Sequence, residues 1–513
     1  MFKNTCYLQA NKHRMSIRNL FLFLSVVLLL SCEKKKAAIE KNPVENYRPA
    51  FHFTPPQNWT NDPNGLVYYD GEYHIFYQHN PLGMTWGHMS WGHAVSKDFL
   101  AWEHLPVAIP EFVNAKGDST MIFSGTTVVD KNTSGLCEGK DCLVAIYTAH
   151  IHKGDEQLTQ YQNLAYSNDK GRTWKQYDKN PVLDIGLKDF RDPKIFWHES
   201  TKKWVMVLVV PDKFKVQLYE SKNLTQWKLM SEFGNTGDAA KIWECPDLYQ
   251  LPVENGEGKS KWVLSLSGSH PAGPKFVGMQ YFVGEFDDTK FIKDKDQPDT
   301  SYVEYGKDFY AGIIFNHLPV ENNRTVMIGW ANNWAYGNKI PTVGYRGAMS
   351  LPRELSLKKK GNIYQLIQKP IKEVASLRDE EIKDLTHVAG KQLEFELDLA
   401  TDSNSGIKVF KSGDEETIIG YDSKSKELFI DRTKSGKVDF HPDFSSIERV
   451  PLEVKDGKVH LRIFLDSPII EVFANDGEAV LTDIAFATAS EFKIEPYGTT
   501  TNFKVWKLKS KSN

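Results

Sequence analysis

The stretch WTNDPNGLVYYDGEYHIFYQHNP, Trp59 to Pro81, decides how the rest of the chain is read. Its first half sets an amide, an acid, a proline and a glycine side by side. Each favours turn geometry for its own steric reason, so Asp62 taken alone is a turn residue that opens a hairpin. The second half, GLVYYD and then EYHIFYQ, is rich in aromatic and β-branched residues and has the composition of paired strands. Whether Asp62 is more than a turn residue depends on whether the arrangement recurs.

It recurs twice. Asp192-Pro193 precedes KIFW, and Glu244-Cys245-Pro246 precedes DLYQL, so a carboxylate again stands at the mouth of a strand. Ser124 in FSGTTVV and Tyr310 in DFYAGIIF begin strands of the same kind, and the five positions are spaced 62, 68, 52 and 66 residues apart. A second phrase repeats independently: SKDFLAW from Ser96, SNDKGRTW from Ser167 and SKNLTQW from Ser221, each after a short apolar strand. Recurrence on this scale marks a radial or stacked array. Five such units between residues 50 and 355, with no long amphipathic helix, predict an all-β chain whose larger part is a five-bladed β-propeller. If the repeated phrases open the innermost strands, Asp62, Asp192 and Glu244 face one axial funnel.

Beyond SLPRELSL (Ser350 to Leu357) neither phrase returns. Residues 356–370 are expected to be a linker, and residues 371–513, with short strands such as LEFELDLA, VHLRIFL and IIEVFA, a C-terminal β-sandwich. The other end of the chain looks like export machinery. The apolar run from Leu20 to Leu30 is too short to span a bilayer and ends in LLLSC, so residues 1–31 are expected to be a lipoprotein signal peptide, with Cys32 as the lipidated first residue of the mature chain. Residues 32–49, charged and poor in large apolar side chains, are expected to be a tether. These features predict an exported bacterial lipoprotein held to the membrane at Cys32, on the periplasmic or cell-surface side. Export also permits a hairpin disulfide between Cys137 and Cys142.

Net charge is −3, with acids and bases interspersed, which argues against nucleic acid as a partner. The sequence does not speak to oligomeric state. Three acids converging on one pocket are more than a fold needs, because like charges at close range raise one another's pKa. One acid kept protonated beside one kept ionised is what glycoside hydrolysis requires. Neither a histidine pair, a cysteine quartet nor a calcium-loop spacing competes for these residues, so no metal and no cofactor is expected.

The motifs WTNDPNG, FSG, RDP within DFRDPKIF, WECPDL and SLPREL, in this order, resemble those of glycoside hydrolase family 32, the β-fructofuranosidases. The resemblance runs from about residue 50 to the C-terminus. It implies a five-bladed propeller followed by a β-sandwich, and a retaining hydrolase that releases fructose from levan, inulin or sucrose through a covalent fructosyl-enzyme. By that resemblance Asp62 is the nucleophile, Glu244 the general acid and then base, and Asp192 the residue that holds fructose hydroxyls. Asn61, Gln78, Trp86, Phe123, Ser124, Arg191 and Trp330 are the implied substrate-binding residues, with Asp308 and Tyr310 as weaker candidates and Cys245 as a small buried neighbour. Exo action comes first because a funnel admits a chain end. The other readings are an endo-acting levanase, a sucrose invertase, a non-catalytic fructan-binding lipoprotein and an arabinan hydrolase on the same propeller.

Overall fold

The structure is a computed structural model that describes residues 47–511 apart from 257 and 320–323. The expected signal peptide, Cys32 and most of the expected tether lie outside the described residues. The regular structure described is almost all antiparallel strand, in five sheets followed by two more.

The first five sheets are the blades of a propeller. Their innermost strands are Asn58–Tyr69, Ser119–Asp130, Arg191–His198, Glu244–Pro252 and Tyr310–Ile314, for blades I to V. Each packs against the next and the fifth packs against the first, which closes the ring. The closure is stitched near the start of blade I, where the short strand Tyr345–Arg346 pairs in parallel with Asn58 and Trp59. Gly347 is required there: its φ is +94°, and a Cβ on it would lie 2.2 Å from the Thr60 carbonyl oxygen.

The repeated phrases occupy equivalent places. SKDFLAW, SNDKGRTW and SKNLTQW form the turns between the third and fourth strands of blades I, II and III. In each, the tryptophan indole donates to the carbonyl three residues earlier: Trp102 to Phe99, Trp174 to Gly171 and Trp227 to Leu224. A serine hydroxyl accepts from the backbone of the turn in all three copies. One solution to the problem of turning the chain is thus used three times.

Blade strands read as unbroken apolar runs because both faces are covered. In Lys203–Val210 every residue is buried. Met206, Leu208 and Val210 pack toward blade II, while Val205, Val207 and Val209 pack toward blade IV. Each such valine or leucine contributes roughly 1.5–3 kcal/mol of burial, which holds blade to blade.

Residues 356–370, expected to be a linker, belong to the propeller instead. Arg353–Lys360 and Ile363–Pro370 are the two outer strands of blade V, paired from Arg353↔Pro370 to Lys360↔Ile363. The expectation failed because the fifth blade contains neither repeated phrase after its first strand, so its outer half carries no internal signature. The end of the expected tether also differs: Tyr47 is buried, and its hydroxyl donates to the Phe486 carbonyl.

The last two sheets, of six strands each, form the β-sandwich around a core that includes Leu393, Phe395, Ile407, Ile463 and Leu481. The hairpin turn Asn475-Asp476-Gly477-Glu478 brings this domain onto blade V. Gly477, at φ +92°, approaches so closely that a Cβ would lie 2.0 Å from the Gln368 carbonyl oxygen. Charge is buried along the same junction. Arg353 of blade V donates to Glu304 at 2.6 Å and to Glu471 of the sandwich at 3.3 Å, all three side chains being fully buried. Arg432 of the sandwich donates to Asp308, and the Tyr336 hydroxyl donates to the same carboxylate at 2.6 Å. His52 lies 2.9 Å from Asp466 and 3.5 Å from Glu471.

Candidate active site

All five innermost strands break register at one equivalent place. The irregularities fall between Thr60 and Pro63, Ile122 and Gly125, Arg191 and Lys194, Glu244 and Asp247, and Tyr310 and Ile313. Each is a β-bulge, the device by which a strand re-aims side chains and leaves the ladder. Three bulges hold a non-glycine residue in the left-handed region: Asp192 at φ +63°, Cys245 at +47° and Ala311 at +53°. Such conformations cost about 1–3 kcal/mol each and gather at functional sites. Blades also brace one another here. Gln78 of blade I donates to the Ile122 carbonyl of blade II at 3.0 Å, Thr148 of blade II accepts from the Asp192 N–H of blade III, and Ser267 of blade IV accepts from the Ala311 N–H of blade V. Between blades III and IV the brace is Asp192 itself, whose Oδ2 accepts from the Cys245 N–H at 2.9 Å.

The bulges surround a cavity of about 450 Å³ lined by Asp62, Asp192 and Glu244 together with Asn61, Gln78, Trp86, Phe123, Ser124 and Arg191. This volume lies within the ~300–1,000 Å³ typical of small-molecule sites. Of the implied substrate-binding residues, Trp330 is the exception. It is fully buried, its ring 4.8 Å from that of Trp334 and tilted by 53° to it, and Trp334 is the ring that reaches the cavity. Trp330 ends the second strand of blade V and so sits one layer behind the wall. Tyr310 lines the cavity, whereas Asp308 does not and belongs to the junction with the sandwich.

Asp62 accepts from three side chains: the Asn61 amide at 3.0 Å, the Ser124 hydroxyl at 2.7 Å and, at 3.5 Å, the Cys245 thiol. Asn61 is held in turn by the Trp59 indole at 2.7 Å. Burial pushes the Asp62 carboxyl above the ordinary range, the Ser124 hydroxyl pulls against it and the charge of Glu244 adds to the rise. Asp192 is raised chiefly by burial, with the Arg191 guanidinium opposing and Glu244 adding. The Cys245 thiol, 3.7 Å from Asp192 and 3.5 Å from Asp62, is pushed well up by burial and by those acids, so it stays a neutral donor between them.

Glu244 is held from both sides. Arg191 donates to Oε1 through Nη2 at 3.0 Å and Nε at 3.2 Å, and the Tyr310 hydroxyl donates to Oε2 at 2.5 Å. Arg191 is fixed at its far end by Asp189 at 2.8 Å. Burial lowers the pKa of Arg191 but Glu244, Asp192 and Asp189 outweigh it, and the guanidinium stays charged. Glu244 is also the most exposed of the three acids, with 24% of its side chain accessible, as a group that exchanges protons with solvent or a leaving group needs to be.

Sequence reasoning missed His150, Gln160, Asp189 and Lys241, all of which line the cavity. His150 and Gln160 come from the second and third strands of blade II, near the ends that reach the funnel. Attending only to innermost strands hides them, although Asp189 could have been found from its place two residues before Arg191. Cys137 and Cys142 form a disulfide far along blade II.

Comparison with known proteins agrees with this geometry. Residues 52–370 match the profile of the glycosyl hydrolases family 32 N-terminal domain, and residues 362–510 that of the glycosyl hydrolases family 32 C-terminal domain. The chain is 46% identical over 485 residues to a levanase of Bacillus subtilis, covering 90% of this chain and 70% of that one. It is 40% identical over 481 residues to an extracellular exo-inulinase of Aspergillus ficuum, covering 85% of this chain and 89% of that one. The crystal structure of an exo-inulinase from Aspergillus awamori superposes with a TM-score of 0.83 at 38% identity, covering 92% of this chain and all of the other.

Proposed function

The chain belongs to glycosyl hydrolase family 32, and from that premise we propose that it is a β-fructosidase that removes terminal fructose from β-fructans such as levan and inulin, and from sucrose. The observation that carries this reading is the meeting of Asp62, Asp192 and Glu244, from three different blades, in one cavity, with the Cys245 thiol between Asp62 and Asp192. The cavity sits where the bulges of all five blades converge, which favours a chain end over the middle of a chain.

In this reading Asp62 attacks the anomeric carbon of the fructosyl unit while Glu244 protonates the departing glycosidic oxygen. Asp62 is then bonded to the sugar, and Glu244, now ionised, takes a proton from water as that water attacks. Two displacements at one carbon retain its configuration. Asn61, Ser124 and Cys245 orient the attacking carboxylate with donors that favour its ionised form against the pull of burial. Arg191 and Tyr310 hold Glu244 in place, and their donors stabilise its carboxylate after the proton has left. Asp192 takes up sugar hydroxyls. Ser124, Gln78 and the rings of Trp86, Phe123 and Trp334 complete the wall.

Replacing Glu244 by Gln tests the reading. Turnover on fructan is expected to fall by roughly 10²–10⁴-fold, with binding of substrate largely kept; unchanged release of reducing sugar would refute it. Free fructose as the first product distinguishes exo action from the mixed oligosaccharides of an endo enzyme. Export with anchoring at Cys32 is proposed from the Leu20 to Leu30 run and the LLLSC box. Cys32→Ser is expected to move the protein from the membrane fraction to the soluble one.

A further inference from the structure

A second, larger hollow opens directly from the catalytic cavity. Its volume is about 960 Å³, and Trp86, His150 and Gln157 line both spaces. Its walls come from two blades. Blade I supplies the loop carrying Trp86 and His88, between its second and third strands. Blade II supplies the edge strand Phe112–Val113 and the hairpin tip around Gly154 and Asp155. The hollow therefore follows the seam between blades I and II outward from the site.

Rings mark the route. Trp86 lies edge-to-face on Phe123 at 6.0 Å, Phe123 stacks on His150 at 4.3 Å with only 5° between planes, and His150 is 5.7 Å from His152. The row begins inside the catalytic cavity and ends in the outer hollow. Burial holds the His150 ring near pKa 4, so it is neutral at ordinary pH. Apolar surface is presented as well: Trp86 is 41% exposed and Val113 67% exposed. Polar side chains stand among these: His88, its Nδ1 2.7 Å from Glu111, and Asn80, whose amide donates to the Thr85 carbonyl and accepts from the Leu82 N–H. Rings that offer a flat apolar face beside convergent polar groups suit a neutral, hydroxyl-rich chain whose sugar faces alternate in polarity.

We propose that this groove binds the part of a β-fructan chain that follows the scissile bond, several sugar units long, while the terminal fructose occupies the catalytic cavity. The inference rests on the proposed β-fructosidase reading and deepens it by naming where the polymer goes. Sucrose, with a single ring beyond the scissile bond, leaves most of the groove empty. The groove therefore adds binding energy for polymers that it cannot give to the disaccharide.

The test uses Phe112→Ala and Val113→Asp, neither of which lines the catalytic cavity. Initial rates are measured on levan, inulin and sucrose. For at least one polymer kcat/KM is expected to fall roughly fivefold or more through KM, with kcat and both sucrose constants within about twofold of the parent. The levan and inulin arms show which linkage the groove follows. Val113 is exposed, so its replacement leaves the fold intact and keeps the test decisive should Phe112→Ala destabilise the edge strand. As a second readout, Glu244→Gln with and without Val113→Asp is titrated with a fructo-oligosaccharide of about five units; weaker binding of the double variant is expected. Equal kinetics on all substrates, or a parallel loss on polymer and sucrose, overturns the inference alone. If the parent protein releases no fructose from any fructan, the β-fructosidase reading falls and takes the inference with it.

Discussion

At the junction with the sandwich, Glu304 and Glu471 close on Arg353, and Asp308 closes on Arg432 and Tyr336. At the mouth of the propeller Asp192 and Glu244 share a single guanidinium, that of Arg191, and the remaining oxygens of these two and of Asp62 are served by hydroxyls, an amide, a thiol and one backbone N–H. Both regions gather carboxylates: Asp62, Asp192 and Glu244 lie on innermost strands of the wheel, Glu304 and Asp308 on the segment leading into the innermost strand of blade V, and Glu471 on a strand of the sandwich. At the junction, cations of matching geometry close on them; at the mouth, one guanidinium and several neutral donors leave the acids facing about 450 Å³ of open space. What separates the junction acids from the candidate catalytic acids is the company they keep, together with access: the junction acids are fully buried, whereas Glu244 keeps 24% of its side chain accessible.

The largest effect that would sharpen this contrast is removal of a junction cation. Arg353→Leu leaves Glu304 and Glu471 buried without their partner, and the expected loss is about 3–5 kcal/mol of stability, read by denaturant unfolding. Activity per folded molecule should hold. A site whose kcat changed as much as its stability would show that the two acid clusters are one network.

The next effect is a pH dependence confined to the junction. His52, buried beside Asp466 and Glu471, has its pKa raised to about 9 in the folded protein, the two carboxylates outweighing burial. Its folded value lies above the unfolded 6.5, so its stabilisation is complete below about pH 6.5 and is lost as pH rises through about 9. Unfolding free energy is expected to decline by up to ~3 kcal/mol across that window, and His52→Gln to flatten the decline. An unchanged slope in the variant would remove His52 from the account.

The smallest is a shift within the site. The Ser124 hydroxyl draws the Asp62 carboxyl down against burial. In Ser124→Ala that pull is gone, so the acid limb of the kcat/KM profile is expected to move to higher pH, by less than about one unit. A shift toward lower pH would mean that Asp62 is not the group whose ionisation limits the reaction.

Much of this was legible in the amino-acid sequence where a local phrase repeats. The strand-mouth acids at 62, 192 and 244 and the Ser-to-Trp turns gave the wheel and its five units, because each is a short-range solution used again and again. The outer half of blade V, residues 353–370, was not legible: it pairs like any blade edge but carries no phrase of its own. The cavity wall followed the same division. Residues beside a proposed acid, such as Asn61 and Arg191, were found by adjacency. His150 and Gln160 reach the funnel from strands farther out, and only three-dimensional packing brings them there. Trp330 and Trp334 show the finest limit, since four residues of sequence separate a ring in the wall from a ring behind it.

The recurring bulge has a consequence for how such a protein can change. It is a feature of the main chain, held by contacts between neighbouring blades, and it offers five equivalent seats around one opening. Two seats hold acids, Asn61-Asp62 and Asp192-Pro193; the others hold Phe123-Ser124, Cys245-Pro246 directly after Glu244, and Ala311-Gly312 directly after Tyr310. An occupant can be exchanged without reopening the ring, so the wheel and its reactivity are free to be inherited, lost or redesigned separately.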